Sequence, residues 1–549
     1  MHGLTRTSKS RSTSCTPVLI LLLSALLSGV AGAADWIYVV KPGDNPWDLT
    51  ARYLNGLRYW PRIQALNGIT SPTTIPPATR LRIPLAWLRA RPALAKVAAF
   101  EGQGSVAMAG LEHPLVVGMQ LATGAEIHTS TNANVTLEFG DGSRLLLLAE
   151  SVLRLVLLQT FENTGFYQTR VHLEQGHTEN VVRPFGGGPG RFEISTPAAT
   201  TAVRGTDYRV HAGADAARTE VLSGKVGVGT AAATIDVASG FGTVTPLKGA
   251  PTPPVTLLAP PDITTLPVVV ERVPLAFKLV PLAKAHGYRL QLARDKGFAA
   301  LVFDGTSPSE LLHGPDLPDG DYVARVRALD ANGLEGRNAE QSFVLNARPE
   351  PPVIVAPAPG AGVTAEQPAF AWAERAEITR YHLQLARDPG FKILLVDNDQ
   401  VTAASSTAAQ PLAPGKYYWR VAAIDTHDGA GPFSDTQDFR RVPPGPTIEA
   451  PAFDDKQMTL RWGAGLPGQQ SQVQLANNEK FDPLVLDTHT AAAEITLPRP
   501  PGGTYFIRTR TLDTDGFEGP FGTPQHIEVP AAAGKWWLLL LPLVPFLAL

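Results

Sequence analysis

The chain has 549 residues, with 47 Lys and Arg against 50 Asp and Glu and a formal net charge of -3. That near balance, without a clustered basic excess, excludes the footprint of a polyanion binder, and no nucleic-acid partner is expected. Hydrophobic residues make up 44 % and the 50 Gly and 49 Pro are spread along the whole length, which supplies several cores at about one per 150 residues and predicts frequent turns and few long helices.

Residues 1–33 carry Arg6, Lys9 and Arg11, an apolar run from Pro17 to Leu27, and Ala31-Gly32-Ala33. This is the pattern of a secretory signal with a small-x-small cleavage site after Ala33. The mature protein is therefore expected to be exported, to the periplasm or cell envelope. Cys15, the sole cysteine, would leave with the signal, so neither disulfides nor a cysteine metal site are expected.

After the signal, Tyr38 to Val40 reads as a strand that Pro42-Gly43-Asp44 turns. Asn45 suits an N-cap and Pro46 the first helical position, where its missing N–H costs nothing. Trp47, Leu49 to Ala51 and Leu54 make a short amphipathic helix, and Trp60, Ile63 and Leu66 line one face of a second. Asn67-Gly68 ends that helix, and Leu81-Arg82-Ile83-Pro84 returns as a strand. This β-α-α-β order, with YVVKPGDNPW, WPRIQALN and LRIP in sequence, resembles a LysM module over 35–88. The resemblance implies a groove for N-acetylglucosamine glycans such as peptidoglycan, between the loop after the first strand and the loop before the last. The glycan-binding positions carried over are Gly43, Asp44, Asn45 and Pro46 in the first loop, and Asn67, Gly68 and Ile69 in the second. Asn45-Pro46 stands where the family has Thr-Leu, and Ala78 where it has Gly. An alternative reading makes Tyr38, Trp47 and Trp60 only the core of the mini-domain.

From Phe100 the pattern is all-β. Val135, Leu137 and Phe139 alternate up to Asp141-Gly142, which predicts a hairpin into Leu145 to Leu148, and Glu220 to Val226 around Gly224 predicts a second. The glycines from Gly186 to Gly190 precede a strand and lack the Lys and Ser or Thr of a phosphate loop. Phe192 to Val210 reads as strand, turn-rich crossing, strand. Within it Thr196-Pro197, followed by Val203-Arg204-Gly205-Thr206-Asp207-Tyr208, resembles the signature of the FecR domain, a β-rich module of bacterial envelope proteins. The resemblance covers 100–247 and singles out Thr196, Pro197, Arg204, Gly205, Thr206 and Asp207. It implies an envelope domain that contacts an unidentified envelope protein. The cytoplasmic head and membrane span of the signal transducers are not seen between Ala34 and Pro530, so the relay itself is not implied.

A Pro-rich linker at 248–261 leads into a threefold repeat. YRLQLARDKGF from Tyr288 matches YHLQLARDPGF from Tyr381 and, more loosely, VQLANNEKF from Val473. Tyr322, Tyr417 and Tyr505 are each followed three residues on by Arg325, Arg420 and Arg508, and eight on by Asp330, Asp425 and Asp513. Leu279, Trp372 and Trp462 lie upstream, and Asp304, Asp397 and Asp487 follow the matching phenylalanines. A period near 90 with short alternating strands predicts tandem β-sandwiches. The pattern resembles fibronectin type III repeats, at 262–346, 351–442 and 446–529. Asp513-Thr514-Asp515-Gly516 invites a calcium reading, but Asp and Gly are also what a β-turn needs, and Asp can pair with Arg across a sheet face.

The tail at 534–549 ends in WWLLLLPLVPFLAL. Fourteen apolar residues make a helix of about 21 Å against a hydrocarbon core of about 30 Å, so the tail is too short to span alone. Pro542 and Pro545 interrupt it further, and Trp536 and Trp537 suit a membrane interface. Two readings of the tail stand side by side: shallow or short-span membrane contact, and a segment that docks a partner or is trimmed.

The sequence has no nucleophile elbow, HExxH, paired-Cys motif or P-loop, and no cofactor, metal or catalytic residue is assigned. The expected fold class is multi-domain and mainly β: a small βααβ module, a β-rich domain and three β-sandwiches. The expected function is a non-catalytic envelope protein that holds peptidoglycan through its LysM-like module and uses the other domains for protein interaction or spacing. The rivals are an envelope signalling or assembly adaptor centred on the FecR-like domain, an extracellular adhesin or polysaccharide binder, and a glycan hydrolase.

Overall fold

A computed structural model describes residues 35–71, 75–184, 188, 190–465 and 467–531. The expected signal at 1–33 with Cys15, the tail at 534–549 and most of the glycine run at 185–189 lie outside them. Among the described residues no helix is long and apolar enough to cross a membrane. The chain divides into two compact units. The first takes the residues up to Thr264 with Lys278–Leu312 and Val323–Glu340, and the second takes Thr265–Phe277, His313–Tyr322 and the chain from Gln341. The stretch 262–346 is thus shared between the two.

The first unit opens with the expected β-α-α-β module. Strand Asp35–Val39 pairs antiparallel with Arg80–Pro84, Tyr38 opposite Leu81, and helices Pro46–Tyr53 and Trp60–Asn67 lie between them in the chain. Asn45 caps the first helix by accepting from the Asp48 amide at 2.9 Å, and Gly68, left-handed at φ 62, ends the second. The core gathers Tyr38, Leu49, Leu54, Ile63 and Leu81 and is completed by Phe161 from the next domain. Trp47 is not core: it is 58 % exposed, because on an eight-residue helix the buried face is set by Pro46, Leu49, Thr50 and Tyr53.

Strands from Ala90–Pro92 to Val255–Thr256 then form one closed β-barrel. Its longest strand, Phe166–Val181, pairs through its first half with Val152–Phe161 and through its second with Arg144–Leu147 and Asp207–Ala212. The changeover is at Gly176, φ +99, where a Cβ would lie 1.9 Å from the Ser151 Oγ. The Asp141-Gly142 hairpin forms as expected, with Leu137 opposite Leu145. The hairpin expected around Gly224 does not. Strand Ala216–Ser223 pairs with Asp207–Ala212 and Phe241–Pro246, while Lys225–Gly229 pairs with Thr200–Val203 and Thr234–Ala238. Gly224 carries the chain from one sheet to the other, and apolar runs on either side of a glycine look the same for a hairpin as for such a step. The 192–210 stretch also holds a strand in its crossing: Arg191–Ser195 and Thr200–Val203 pair across Thr196-Pro197, and Asp207–Ala212 joins the opposite sheet.

Each later repeat is built mainly from antiparallel strands, with one parallel pair in the first and one in the second, and has a buried tyrosine whose hydroxyl donates to a carbonyl four residues back. These are Tyr322 to Pro318 at 2.7 Å, Tyr417 to Ala413 at 2.7 Å and Tyr505 to Pro501 at 3.1 Å, the tyrosine corner of β-sandwiches. The upstream landmarks Leu279, Trp372 and Trp462 are all buried. In the first unit, strands Gly287–Ala293, Leu301–Ser307 and Gly320–Leu329 pair with one another and present one face to the barrel.

Candidate functional sites

In the LysM-like module the two expected loops are tied together by backbone. The Ala78 amide donates to the Val40 carbonyl at 2.7 Å, and the Val40 amide to Thr79 at 2.9 Å. Asp44 uses one oxygen, Oδ2, to accept from the Tyr38 hydroxyl at 2.5 Å and the Lys41 amide at 2.7 Å; Oδ1 is outside these bonds. Burial raises the Asp44 carboxyl, but the Tyr38 and Lys41 bonds and the nearby Arg52 outweigh it and hold the group below its ordinary value. Asn45 is consumed by capping, its amide also donating to Asp48 at 2.5 Å. Asn67 is consumed too. Its amide donates to the Ile63 and Arg82 carbonyls and its oxygen accepts from the Arg82 amide at 2.7 Å. Pro46 is buried. Gly43 and Gly68 have open space where a Cβ would stand, and Ile69, half-buried, packs on the module core. The structure therefore brings the seven positions to the two loops, yet leaves few side-chain groups spare. Sequence reading missed the exposed Trp47, next to the first loop.

The FecR-type signature serves two separate places. Thr196 makes a tight turn, accepting on Oγ1 from the Ala199 amide at 3.0 Å, and with Pro197 it lines an open groove of about 660 Å³ walled by Thr200, Ala202, Gly227 and Gly229. Arg204 is exposed. Gly205, φ +85, has Pro184 Cα 2.7 Å from where its Cβ would be, and Thr206 exchanges both backbone bonds with Val182 at 2.9 and 3.1 Å. Beyond it Tyr208 and Val210 enter the barrel core, so Asp207, Arg209 and His211 face outward, toward the first repeat. Burial raises the Asp207 carboxyl, which lines a cleft of about 90 Å³ with Glu179, Arg209, Arg325 and Asn338.

That outer face is heavily charged and yet buried, with Arg209, Glu220, Arg289, Arg327 and Glu335 all in its interior. Glu179, on the long strand, accepts from Arg327 at 2.6 Å, Arg325 at 3.1 Å and Gln291 at 2.8 Å. Burial pushes its carboxyl up, but Arg327, Arg209 and Arg325 overcome this and bring it to about 2. Arg209 donates to the Glu335 and Gly336 carbonyls and to Asn338. Glu335 pairs with Arg289 at 2.8 Å and with Arg327, and despite burial these cations hold its carboxyl low. Glu220 accepts from the Glu335 amide at 3.3 Å; burial and the Glu335 carboxylate push it up to about 8. His177 and His211 stack at 3.7 Å, and burial drives both below the ordinary imidazole value, His211 to about 4. Around the charges, Leu146 and Leu148 pack on Ala293, Phe298, Leu301 and Val323, and the Asn134 side chain exchanges two bonds with the Leu301 backbone at 2.8 and 3.0 Å. Sequence reading named Arg325 and Glu220 only as repeat and hairpin positions and did not join this cluster, since charge on one parity of a strand reads as a solvated face.

The recurrent acids of the repeats have structural duties. Asp304 pairs with Arg289, Asp397 with His382 at 2.6 Å, and Asp487 accepts from Gln472 at 2.6 Å. Asp330 and Asp425 each take amides of their own turn. In the Asp513 to Gly516 turn the cation is the Arg440 guanidinium, 2.8 Å from Asp513 and also paired with Asp515. No cluster of metal-ligating side chains occurs among the described residues. Arg325, Arg420 and Arg508 do not pair with these acids across the sheet; they lie over the rings of Phe298, Phe391 and Phe481, at 3.5, 4.0 and 4.0 Å.

A LysM domain model matches residues 38–84, and a FecR protein model matches residues 125–227. The chain carries both domains, and the three β-rich repeats follow them. No curated protein matches it. Among solved structures, a candidate anti-sigma factor from Parabacteroides distasonis ATCC 8503 is 20 % identical over 24 % of this chain, with a TM-score of 0.21, and only 59 % of that protein's length is covered. A two-domain fibronectin type III segment of chicken tenascin is 16 % identical over 32 % of this chain and 97 % of its own, TM-score 0.22. The fibronectin(III)-like modules of Clostridium thermocellum CbhA are 14 % identical over 33 % and 95 %, TM-score 0.21. LysM and FecR domains are typical of cell-envelope proteins and are typically binding or signalling modules.

Proposed function

We propose that this chain is a non-catalytic, exported cell-envelope protein that binds peptidoglycan, or another N-acetylglucosamine glycan, through its LysM domain and presents its FecR-like and fibronectin-like domains to an envelope protein. The observation that carries the reading lies at the first loop, where Trp47, on the first turn of the helix that follows, is 58 % exposed and the Asp44 Oδ1 is outside the bonds that fix its partner oxygen. An exposed ring gives a sugar face an apolar platform, and a preset acceptor orients an acetamide N–H or a hydroxyl. Recognition would rest on these and on loop backbone, not on Asn45 and Asn67, which are already spent.

Deleting the module is a poor test, because Phe161 belongs to its core and Trp36 packs on Phe166 at 5.6 Å. The test is co-sedimentation of the full chain and its Trp47→Ala variant with purified sacculi. The wild type is expected to pellet and the variant to lose at least about tenfold in affinity with unchanged thermal stability, the share expected of one stacking aromatic. Equal pelleting, or none by either, overturns the glycan reading.

A second reading, an envelope signalling or assembly adaptor, is favoured by the open groove at Thr196-Pro197. A partner recovered by cross-linking at Thr200, and still recovered with Trp47→Ala, would favour it.

A further inference from the structure

The near balance of charge over the whole chain does not hold in the LysM module. From Leu49 to Phe100 there is no Asp or Glu, against eight Lys and Arg. Acids from outside this stretch answer three of the eight: Asp35 pairs with Arg82 at 2.6 Å, and Glu162 pairs with Arg89 at 3.2 Å and with Arg91. Arg52 lies over Tyr53, 5.8 Å from the ring centroid, and in the field of Asp44. Arg58 and Arg62 are both exposed and meet no carboxylate among the described residues. They share one platform instead, the Tyr59 ring, with guanidinium carbons 5.1 and 5.5 Å from its centroid.

The elements around this platform supply no counter-charge. Helix Pro46–Tyr53 brings only Asp48, which is bonded to Asn45 at the cap, and Trp60–Asn67 and Leu85–Trp87 bring no acid. Trp87 backs the Tyr59 ring at 6.0 Å, so the platform is itself fixed by packing. Contact with the ring orders both guanidinium groups and leaves their charge unanswered. Forks held in this way lose less entropy when they meet a planar anion such as a carboxylate.

The cluster is set apart from the two loops. Helix Trp60–Asn67, eight residues and about 12 Å long, separates it from Asn67-Gly68. An anion seated here is therefore a branch of a glycan held at the loops and not the sugar between them. Peptidoglycan has such branches, its peptide stems, which end in carboxylates, whereas a plain polymer of N-acetylglucosamine has none. Resting on the glycan reading above, we propose that Arg58, Tyr59 and Arg62 form an anion subsite for the stem-peptide carboxylates of peptidoglycan, by which the module prefers peptidoglycan to uncharged glycans.

The test is co-sedimentation of the full chain with purified sacculi and with the same sacculi after their carboxyl groups are capped as amides. Wild type is expected to bind capped sacculi about fivefold more weakly, the share of two exposed ion pairs, and to lose this preference as salt rises. Arg58→Gln/Arg62→Gln, at an unchanged thermal midpoint, is expected to bind both kinds of sacculi alike, at the wild-type level for capped ones. Where the midpoint falls, Arg62→Gln alone is read in the same way. A wild type that does not discriminate, or a variant that discriminates as well as wild type, overturns the inference, and the glycan reading survives if Trp47→Ala still pellets less. A wild type that pellets with neither kind overturns both. Vesicles containing phosphatidylglycerol are the second arm: recruitment that needs Arg58 and Arg62, with sacculus binding indifferent to them, overturns the inference in favour of a lipid surface.

Discussion

Glu179→Gln removes one negative charge from the contact between the FecR-like sheet and the first repeat and leaves shape nearly unchanged. Wild-type Glu179 accepts from Arg327, Arg325 and Gln291, and those cations overcome burial to hold its carboxyl at about 2, against an ordinary 4.5. A drop of that size corresponds to about 3.5 kcal/mol of preference for the docked state, at about 1.36 kcal/mol for each pH unit. The sign follows from the direction: a depressed carboxyl contributes stability that is full above 4.5 and is lost as pH falls toward 2. At pH 7 the variant should therefore undock about 300-fold more often, the same energy expressed as an equilibrium ratio. Amide exchange of Asp207–Ala212 and Gly287–Ala293, corrected for intrinsic rate, reads this locally. That choice avoids a global unfolding curve that several domains would blur. The gap between variant and wild type should close as pH falls through 4 toward 2. A change under about threefold at pH 7 would mean the charges contribute little beyond their desolvation cost, and a gap that persists at pH 2 would mean the loss is steric.

Glu220→Gln should act in the opposite pH direction. Burial and Glu335 raise the Glu220 carboxyl to about 8, so its contribution is present below 4.5 and lost as pH rises to 8; the variant should match wild type near pH 4.5 and exceed it at pH 8.5 in thermal midpoint. Gly205→Ala places a Cβ 2.7 Å from Pro184 Cα at φ +85 and should cost about 2–4 kcal/mol, read as a lower thermal midpoint without loss of sacculus binding. Asn67→Ala removes three bonds that join the second helix to strand Arg80–Pro84. It should cost about 2 kcal/mol, seen as faster exchange of the Arg82 amide, with no change in protection of Asp207–Ala212.

The elements that the sequence made legible were those whose signal is local. The Asn45-Pro46 helix start, the Asn67-Gly68 stop, the Asp141-Gly142 turn and the repeat tyrosines each rest on a few residues and a backbone geometry that allows little else. Gly224 was misread because its conformation, φ +82, suits both a hairpin and a step between sheets, and only the distant partners Thr200–Val203 and Phe241–Pro246 decide. For the LysM-like positions the sequence leaves the duty of each side chain open: an asparagine at a helix start or stop can bind a ligand or its own backbone, and geometry shows Asn45 and Asn67 bonded within the module. The charged face was out of reach for a different reason. Alternation tells which residues leave the barrel core, but not what covers them. What lies over them is a second layer more than a hundred residues away in the chain.

That second layer explains why the signature tyrosine and its neighbours read so differently. Tyr208 is fully buried with its hydroxyl raised by desolvation, and it needs only a well-packed barrel. Arg209, one residue on, needs a partner supplied by the first repeat, because its guanidinium is buried, brought down to about 10 by that burial, and met there by the Glu335 and Gly336 carbonyls. An apolar interface would have held the two sheets together at lower desolvation cost. Charges at fixed registers do something apolar side chains do less well: they penalise a one-residue slip, which would leave Glu179, Arg327 and Glu335 each without a counter-charge in a dry interior. The first repeat is therefore held at a single register on the FecR-like sheet, and any partner of that domain must either use the Thr196-Pro197 groove or displace a contact in which Glu179, Arg327 and Glu335 are already paired.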